Sequence, residues 1–90
     1  MNLWQGVNEF VAVAESQNFT KAASELAIST AQVSRQVRML EERLGIKLLY
    51  RTTRRVHLTE AGQLYYQSCR PLIEALQGAE HAVQQLQSVP

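Results

Sequence analysis

Arginine and lysine side chains are concentrated in one segment of this 90-residue chain, although its net charge is only +1. Between residues 35 and 55, seven such cations stand against two glutamates and give a charge of +5, while the residues before and after this segment each carry −2. A local excess of positive charge favours binding to phosphate groups, and guanidinium groups also pair with the edges of guanine. The charge pattern therefore predicts a surface that binds nucleic acid.

Other kinds of chemistry find little support in the sequence. No nucleophile is usefully spaced from a histidine and an acid, and no glycine-rich phosphate loop is present, so an enzyme is the weakest hypothesis. The single Cys69 excludes an internal disulfide framework and a cysteine-based zinc site within one chain. No apolar run is long enough to span a bilayer and no signal segment opens the chain, so we expect a cytoplasmic protein that does not bind membranes.

The first cations of the basic segment fall on the outer side of a predicted helix. From Val33 onward, the apolar residues recur at helical spacing in one narrow stripe, which must face a core. Ser34, Arg35 and Arg38 cluster on the opposite side of this helix, which spans residues 31–44. A helix with a hydroxyl and two guanidinium groups on its exposed side is suited to the major groove of double-stranded DNA.

The residues before this helix predict a helix-turn-helix. Apolar positions from Phe19 to Leu26 form a stripe on a helix of about two turns, which needs a neighbour to persist in water. Ser29 and Gln32 fit a capping box that restarts the chain after a short turn. A short helix, a tight turn and a capped helix with basic outer positions make up this motif.

The flanking residues complete a winged helix-turn-helix. Helical spacing of apolar residues predicts a first core helix over 2–16. Two short β-compatible runs, 46–50 and 56–58, flank the basic stretch 51–55 and predict a two-stranded wing with a basic tip. We therefore expect a mainly α fold in which residues 1–58 form a winged helix-turn-helix with three helices and a wing.

A long linker helix is predicted over residues 59–90, with Thr59 as its N-cap. From Gly62 its apolar residues alternate steps of three and four over more than three heptads, a pattern typical of a helix that pairs with another chain. We expect a homodimer through this helix. The predicted interface residues are Tyr65, Cys69, Leu72, Leu76, Ala79, Val83 and Leu86. Pro71 lacks an amide donor, so we expect a kink before it, with a break into two helices as the alternative.

The predicted DNA contacts come from the start of the second helix, the third helix with its turn, and the wing. They are Thr20, Lys21, Ser29, Thr30, Gln32, Ser34, Arg35, Arg38, Arg51, Thr53, Arg54 and Arg55. Arg35 is assigned to base edges, with a phosphate as the alternative, and Arg38 is assigned to phosphate. Arg54 is assigned to the minor groove.

Several residues also have a structural interpretation. Gln32 is as well suited to capping its helix as to contacting a base, and Ser34 is as well suited to bonding its own backbone. Arg51 precedes the wing tip, and a structural role would pair it with a carboxylate such as Glu41. Cys69 is most simply a small buried apolar residue, with a redox switch as the alternative. A module that binds proteins instead of DNA would present a neutral face.

Matches to one known family are spread along the chain. They are Phe10, Val13, Phe19, Thr20, Ala22, Ala23, Leu26, Val33, Ser34, Val37, Leu40, Glu41, Leu44, Gly45, Leu48, Arg51, Leu58, Thr59, Ala61 and Gly62. Together, over about residues 2–65, they resemble the N-terminal DNA-binding region of a LysR-type transcriptional regulator. Family members often carry glutamine at the position of Thr30 and a small residue or proline at that of Gln32. The wing also lacks the glycine often found near its tip, so a different half-site preference is expected.

The resemblance implies a protein that binds double-stranded DNA and regulates bacterial transcription. Regulators of this family place a winged helix-turn-helix before a linker helix and dimerise through that helix. They bind interrupted inverted repeats as dimers or tetramers. In the family a C-terminal domain that senses a small-molecule effector follows, and we expect this chain to lack that domain and to need no cofactor or metal.

Overall fold

A computed structural model describes residues 2–52 and 55–88 of the chain. Its elements, in order, are α1 (Val7–Ser16), α2 (Phe19–Leu26), α3 (Thr30–Leu44), β1 (Leu49–Arg51), β2 (Val56–Leu58), α4 (Glu60–Gln85) and a 3-10 turn (Leu86–Ser88). The two strands pair antiparallel, with Tyr50 opposite His57. Three helices, a hairpin and a long helix therefore follow one another in the order that the sequence predicts.

A small apolar core lies between the first three helices. Its centre is formed by side chains with no exposed surface, Phe10, Val13, Ala22, Val33, Val37 and Leu40. The small side chains of Ala22 and Ala23 allow α2 to pack closely against its neighbours. The apolar stripe predicted on α3 faces this core, except for Leu44, which is exposed at the end of the helix.

Side-chain caps fix where α2 and α3 begin. The Asn18 side chain accepts a hydrogen bond from the Lys21 amide at 2.9 Å. Ser29 Oγ accepts from the Gln32 amide at 3.0 Å, and Gln32 Oε1 accepts from the Ser29 amide at 3.3 Å. The predicted capping box is therefore confirmed. Gly45 ends α3 in the left-handed conformation, with φ of +74°.

The first helix begins later than the sequence predicts. A helix from Asn2 is wrong, because turns occupy residues 3–6 and α1 begins only at Val7. Gly6 adopts φ of +83°, a left-handed conformation that interrupts helical hydrogen bonding. A Cβ at this glycine would lie 2.7 Å from the carbonyl oxygen of Gln36, so the turn also lets the N-terminal segment approach α3 closely.

Arg43 of α3 holds these N-terminal turns in place. Its guanidinium donates to the carbonyl oxygens of Leu3 at 3.2 Å and Gln5 at 3.1 Å. The Gln5 side chain adds a bond to the Gln36 side chain at 2.9 Å. Arg43 therefore links the start of the chain to the end of α3.

Helix α4 is continuous past Pro71. Because one α-helix extends over Glu60–Gln85, the alternative of a break into two helices is wrong. Thr59 Oγ1 accepts from the Gly62 amide at 3.0 Å, which confirms the predicted N-cap. The same hydroxyl donates to the Lys47 carbonyl at 2.7 Å and so ties the start of α4 to the chain before β1.

The first half of α4 belongs to the core of the helix-turn-helix. Cys69 and Ile73 are buried there, and the ring centre of Tyr65 lies 5.7 Å from that of Phe10. Cys69 is thus a small buried residue, and burial raises the pKa of its thiol. Packing continues from the three-helix core into α4, so no gap in the core marks the domain boundary predicted after residue 58. That boundary stays a prediction.

A polar cluster joins α1 to α4 at the surface. The Tyr66 hydroxyl donates to Glu15 Oε2 at 3.0 Å, and Arg70 Nε lies 2.7 Å from the same oxygen. Arg70 also pairs with Glu74, one turn further along α4, at 3.0 Å. These contacts help to set the direction in which α4 leaves the core.

A buried carboxylate attaches the wing to α3. Glu41 is only 4% exposed, and its Oε2 accepts from the amides of Leu48 at 2.8 Å and Leu49 at 3.2 Å. Its Oε1 lies 3.8 Å from both Lys47 Nζ and an Arg51 nitrogen. The start of β1 is therefore held by hydrogen bonds from its backbone to a side chain of α3.

The wing and α4 meet at Gly62 with almost no space between them. A Cβ on Gly62 would overlap the carbonyl oxygen of Leu48 and lie 3.2 Å from a methyl carbon of Leu58. The Leu48 carbonyl oxygen also accepts from the Thr59 amide at 3.0 Å, so it has little room to move. A glycine is therefore required at this position by close approach of the backbone.

We predict that Glu41→Ala lowers the free energy of unfolding by at least about 2 kcal/mol, because two buried amides lose their acceptor. Denaturant unfolding measures this change. Glu42→Ala is the matched control, because Glu42 is the exposed neighbour on the same helix and its loss should change stability by less than about 0.5 kcal/mol. Equal losses in the two variants would contradict the structural role of Glu41.

We predict that Gly62→Ala lowers the free energy of unfolding by about 1–3 kcal/mol, the usual cost of overpacking. Gly78→Ala is the control, because Gly78 lies in the same helix and a methyl group there would meet no atom within 4 Å. That variant should gain about 0.5–1 kcal/mol from helix propensity. Thermal unfolding of both variants distinguishes them, and a stabilised Gly62→Ala would contradict the close contact.

Candidate nucleic-acid interface

The outer side of α3 carries most of the residues that the sequence assigns to DNA. Thr30, Gln32, Arg35 and Arg38 are exposed and Ser34 is half-buried, all away from the buried stripe. Gln32 takes part in the capping box, so its structural interpretation is confirmed and its amide oxygen is already engaged. The side of α3 that carries these residues is therefore accessible from solvent.

Arg51 connects the wing to this side of α3. One guanidinium nitrogen donates to Ser34 Oγ at 3.0 Å, and another lies 3.8 Å from Glu41 Oε1. Its Cζ atom lies 4.8 Å from the centre of the Phe19 ring on α2. The structural interpretation of Arg51, as a partner of Glu41, is therefore confirmed, and Ser34 binds Arg51 in place of its own backbone.

The charges around Arg51 act on it in opposite directions. Burial lowers the pKa of the guanidinium, the Glu41 carboxylate raises it, and the nearby Arg38 lowers it. Because an arginine titrates far above neutral pH, the group keeps its charge. Two arginines and one buried carboxylate thus lie together where α3 meets the wing.

Lys47 joins Arg38 at the base of the wing. The two side chains line the same pair of surface grooves, and the Lys47 side chain is 75% exposed. Lys47 belongs to the basic segment but not to the predicted contacts, because its place beside Arg38 depends on how the chain returns from α3 to β1. The charge count was the only signal in the sequence that included it.

The starts of α2 and α3 supply further predicted contacts. Thr20, Lys21 and Ser29 are exposed. The Lys21 and Ser29 amides donate within the helix caps, and the Ser29 hydroxyl oxygen accepts from the Gln32 amide. What these two residues offer to a ligand is therefore the Lys21 ammonium group and the hydrogen of the Ser29 hydroxyl. Helix starts with exposed residues of this kind favour phosphate.

The structure describes only some of the predicted contacts at the wing tip. Thr53 and Arg54 lie outside the described residues. Thr52 and Arg55 on either side of them are bonded to each other: the Thr52 amide donates to the Arg55 carbonyl at 3.0 Å, and the Arg55 amide donates to Thr52 Oγ1 at 3.1 Å. Arg55 is exposed.

The predicted dimer residues of α4 fall into two groups. Tyr65 and Cys69 pack on the core of their own chain, so packing within the chain accounts for at least part of the heptad pattern there. The later residues are exposed on the part of α4 that extends beyond the core. They are Leu72, Leu76, Ala79, Val83 and Leu86. An apolar surface of this kind is typical of an interface.

Two other kinds of site find no support in the part of the chain that the structure describes. Within residues 2–52 and 55–88, no group of three or more histidine, cysteine or acidic side chains is placed to hold a metal ion. Among the helices in these same ranges, none combines the length and the apolar character needed to cross a membrane.

Comparison of the sequence with known proteins identifies relatives among bacterial regulators. The family profile described as bacterial regulatory helix-turn-helix protein, lysR family, matches residues 4–63. An HTH-type transcriptional regulator of Xanthomonas campestris pv. campestris (strain 8004) is 51% identical over 81 residues, which cover 90% of this chain and 24% of that protein. The chain spans about a quarter to a third of the length of such relatives, 24% and 31% for two of them.

Solved structures share the fold. The complex of the BenM DNA-binding domain with catB site 1 DNA has a TM-score of 0.85 and 39% identity, and the match covers 100% of this chain and 99% of that one. The complex of the CbnR DNA-binding domain with DNA has a TM-score of 0.78 and 33% identity, covering 93% of this chain and 95% of that one. The winged helix-turn-helix with a long following helix is thereby confirmed, and this chain belongs to the LysR family of bacterial helix-turn-helix regulators.

Proposed function

We propose that this chain binds double-stranded DNA in a sequence-specific manner and regulates transcription in the bacterial cytoplasm. In this proposal α3 lies in the major groove and the wing, residues 51–55, lies at the adjacent minor groove. The observation that carries the proposal is the exposed outer side of α3, with Arg35 and Arg38 directed away from the core of a fold that BenM uses in its complex with DNA.

Charge pairing within the chain supports this assignment. Glu41 pairs with Lys47 and Arg51, and Glu15 and Glu74 pair with Arg70. Among the described residues, neither Arg35 nor Arg38 has an acidic partner within 4.0 Å. Their charges are therefore available to phosphates or base edges, and binding need not break an existing ion pair.

The two arginines have different proposed roles. Arg35, close to the start of α3, contacts a base edge, where a bidentate pair with guanine contributes about 1–3 kcal/mol of discrimination. Arg38, one turn further along and beside Lys47, contacts a phosphate and contributes affinity without selecting a sequence. The exposed Thr20, Lys21, Thr30 and Arg55 supply further contacts to the backbone of the duplex.

We also propose that two copies of the chain bind DNA together as a homodimer. The support is the apolar surface on the second half of α4, where Leu72, Leu76 and Val83 are 55%, 43% and 65% exposed. A pair of such helices would bury these residues against each other at heptad spacing. Two DNA-binding faces at a fixed separation then fit an interrupted inverted repeat.

The proposal also covers the full-length protein, which is longer than this chain if it resembles its relatives. Relatives are three to four times as long as the part of them that this chain matches. We propose that the full-length protein adds a domain that binds a small-molecule effector and that dimers of it associate into tetramers.

We predict that Arg35→Ala and Arg38→Ala weaken DNA binding in different ways. Arg35→Ala should remove the preference at one base pair of the selected site, whereas Arg38→Ala should weaken all duplexes alike and lower the log-log salt slope by about one. The measurement is selection from a random duplex library, followed by fluorescence anisotropy titrations over a range of salt concentrations.

Gln77→Glu is the control for these titrations, because it lowers the net charge by the same one unit at an exposed position of α4 that lies off the heptad pattern and outside the proposed interface. Its salt slope should equal that of the unsubstituted chain. The proposal of DNA binding fails if the unsubstituted dimer shows no affinity for any duplex at low salt.

We predict that Leu76→Glu prevents dimerisation, because it places a charge within the exposed apolar surface of α4. Analytical ultracentrifugation should find a monomer, and affinity for a two-half-site duplex should fall towards that for one half-site. Leu64→Glu is the matched control, since Leu64 is exposed on α4 but lies off the heptad pattern. A dimer that persists in Leu76→Glu would exclude this interface.

A further inference from the structure

We propose that Arg51 is a positioning residue that orients the Ser34 hydroxyl as a hydrogen-bond donor to DNA. Ser34 would then select an acceptor atom, either a phosphate oxygen or an acceptor on a base edge. This inference rests on the proposed function, because it needs α3 to lie against a duplex. It adds a preference for hydrogen-bond acceptors on the DNA, and this preference depends on a contact between two residues that are far apart in the sequence.

The donors and acceptors of the two side chains determine the direction of the bond between them. A guanidinium group has five N–H donors and no acceptor, whereas a hydroxyl has one donor and two acceptor lone pairs. In the contact of 3.0 Å between Arg51 and Ser34, the serine oxygen must therefore accept. Its hydrogen is left for another partner.

Among residues 2–52 and 55–88, no acceptor is bonded to this hydrogen. Ser16 shows the common alternative, in which a helical serine donates to the carbonyl oxygen four residues earlier, here that of Ala12 at 2.8 Å. Ser34 makes no such bond to any of the residues that the structure describes. Because the Arg51 nitrogen takes up one acceptor position of the oxygen, the hydroxyl hydrogen stays available to a ligand that approaches the half-buried Ser34.

The Arg51 side chain is held in place by contacts other than the one to Ser34. Its guanidinium lies over the Phe19 ring at 4.8 Å and faces Glu41 at 3.8 Å. Glu41 is itself held by the amides of Leu48 and Leu49. Contacts from α2, α3 and β1 thus fix the group that orients Ser34, and this preorganisation lowers the entropy cost of using the hydroxyl in binding.

The chemistry of the ligand follows from this geometry. A donor fits guanine N7 and O6, adenine N7, thymine O4 and phosphate oxygens, whereas the amino groups of cytosine and adenine are donors themselves. The adjacent positive charge of Arg51 strengthens the donor, as charge assistance does in other hydrogen bonds. Ser34 therefore favours acceptor atoms at one position along the duplex.

The experiment compares Ser34→Ala, Arg51→Lys and the double variant on a duplex selected by the unsubstituted chain. Ser34→Ala should bind about five- to tenfold more weakly, as expected for one lost hydrogen bond. Arg51→Lys keeps the charge but not the planar fork of donors. It should weaken binding when Ser34 is present and should weaken it much less when Ser34 is already alanine. Ser34→Thr keeps the hydroxyl and should retain most of the affinity.

Modified duplexes identify the acceptor. A single methylphosphonate, or a single 7-deazapurine, that weakens the unsubstituted chain but not Ser34→Ala marks the contacted phosphate or base, and either result supports the inference. Equal affinity of Ser34→Ala and the unsubstituted chain for every duplex would overturn it. So would an Arg51→Lys loss that is the same in both backgrounds, because that result indicates a purely structural arginine.

The outcomes separate this inference from the proposed function. An unsubstituted chain that binds duplex DNA, together with an unaffected Ser34→Ala, overturns only the role of Ser34. An unsubstituted chain without affinity for any duplex overturns both. Thermal unfolding of each variant, compared with that of the unsubstituted chain, shows whether a loss of affinity follows from a loss of folded protein.

Discussion

The buried carboxylate of Glu41 is the contact on which the relation between helix-turn-helix and wing depends. Each strand of the wing is only three residues long, and a hairpin of this size is marginal by itself. Glu41 supplies what the hairpin lacks, because it accepts from the amide of Leu48 just before β1 and from that of Leu49, its first residue, and attracts Arg51 at the end of the strand. The wing is thus positioned by polar contacts to α3 as well as by its apolar packing.

Several polar contacts offset the free-energy cost of burying the Glu41 carboxylate. A buried anion is unfavourable unless its oxygens are hydrogen-bonded or paired with cations. One oxygen takes two amide bonds, and the other lies 3.8 Å from each of two cations and, among the described residues, accepts no hydrogen bond. Lys47 and Arg51 therefore have a structural part in addition to the charge that they present at the surface.

Local features of the sequence were sufficient to predict most elements of the fold. Apolar periodicity placed α2 and α3. The Ser29 capping box and Thr59 predicted helix starts that the structure confirms, because each depends on residues within one turn. The predicted start of α1 was wrong. The actual start depends on the close approach of Gly6 to Gln36 and on the hydrogen bond from Arg43 to Leu3, which join residues far apart in the chain. Periodicity alone carries no information on such contacts.

The candidate site shows the same division. The residue types and their side of α3 followed from spacing and charge, so Arg35 and Arg38 were found as exposed cations. The bond from Arg51 to Ser34 was not predicted, because it joins residues from the wing and α3 that meet only in the folded chain. Heptad spacing likewise placed Tyr65 and Cys69 in a partner interface. That assignment stays a prediction, while the structure shows that both residues also pack on the core of their own chain, which a heptad pattern does not distinguish from the core of a pair.

Pro71 lies near the point where α4 leaves the core, and this gives the helix a mechanical property. Its ring removes one hydrogen bond from the helical ladder, which makes bending easier at that turn than elsewhere. The helix beyond it acts as a lever arm of roughly 20 Å, so that a bend of about 10° at the proline displaces its far end by roughly 4 Å. A small change of angle at one turn is thus amplified into a shift about as large as the rise of one base pair.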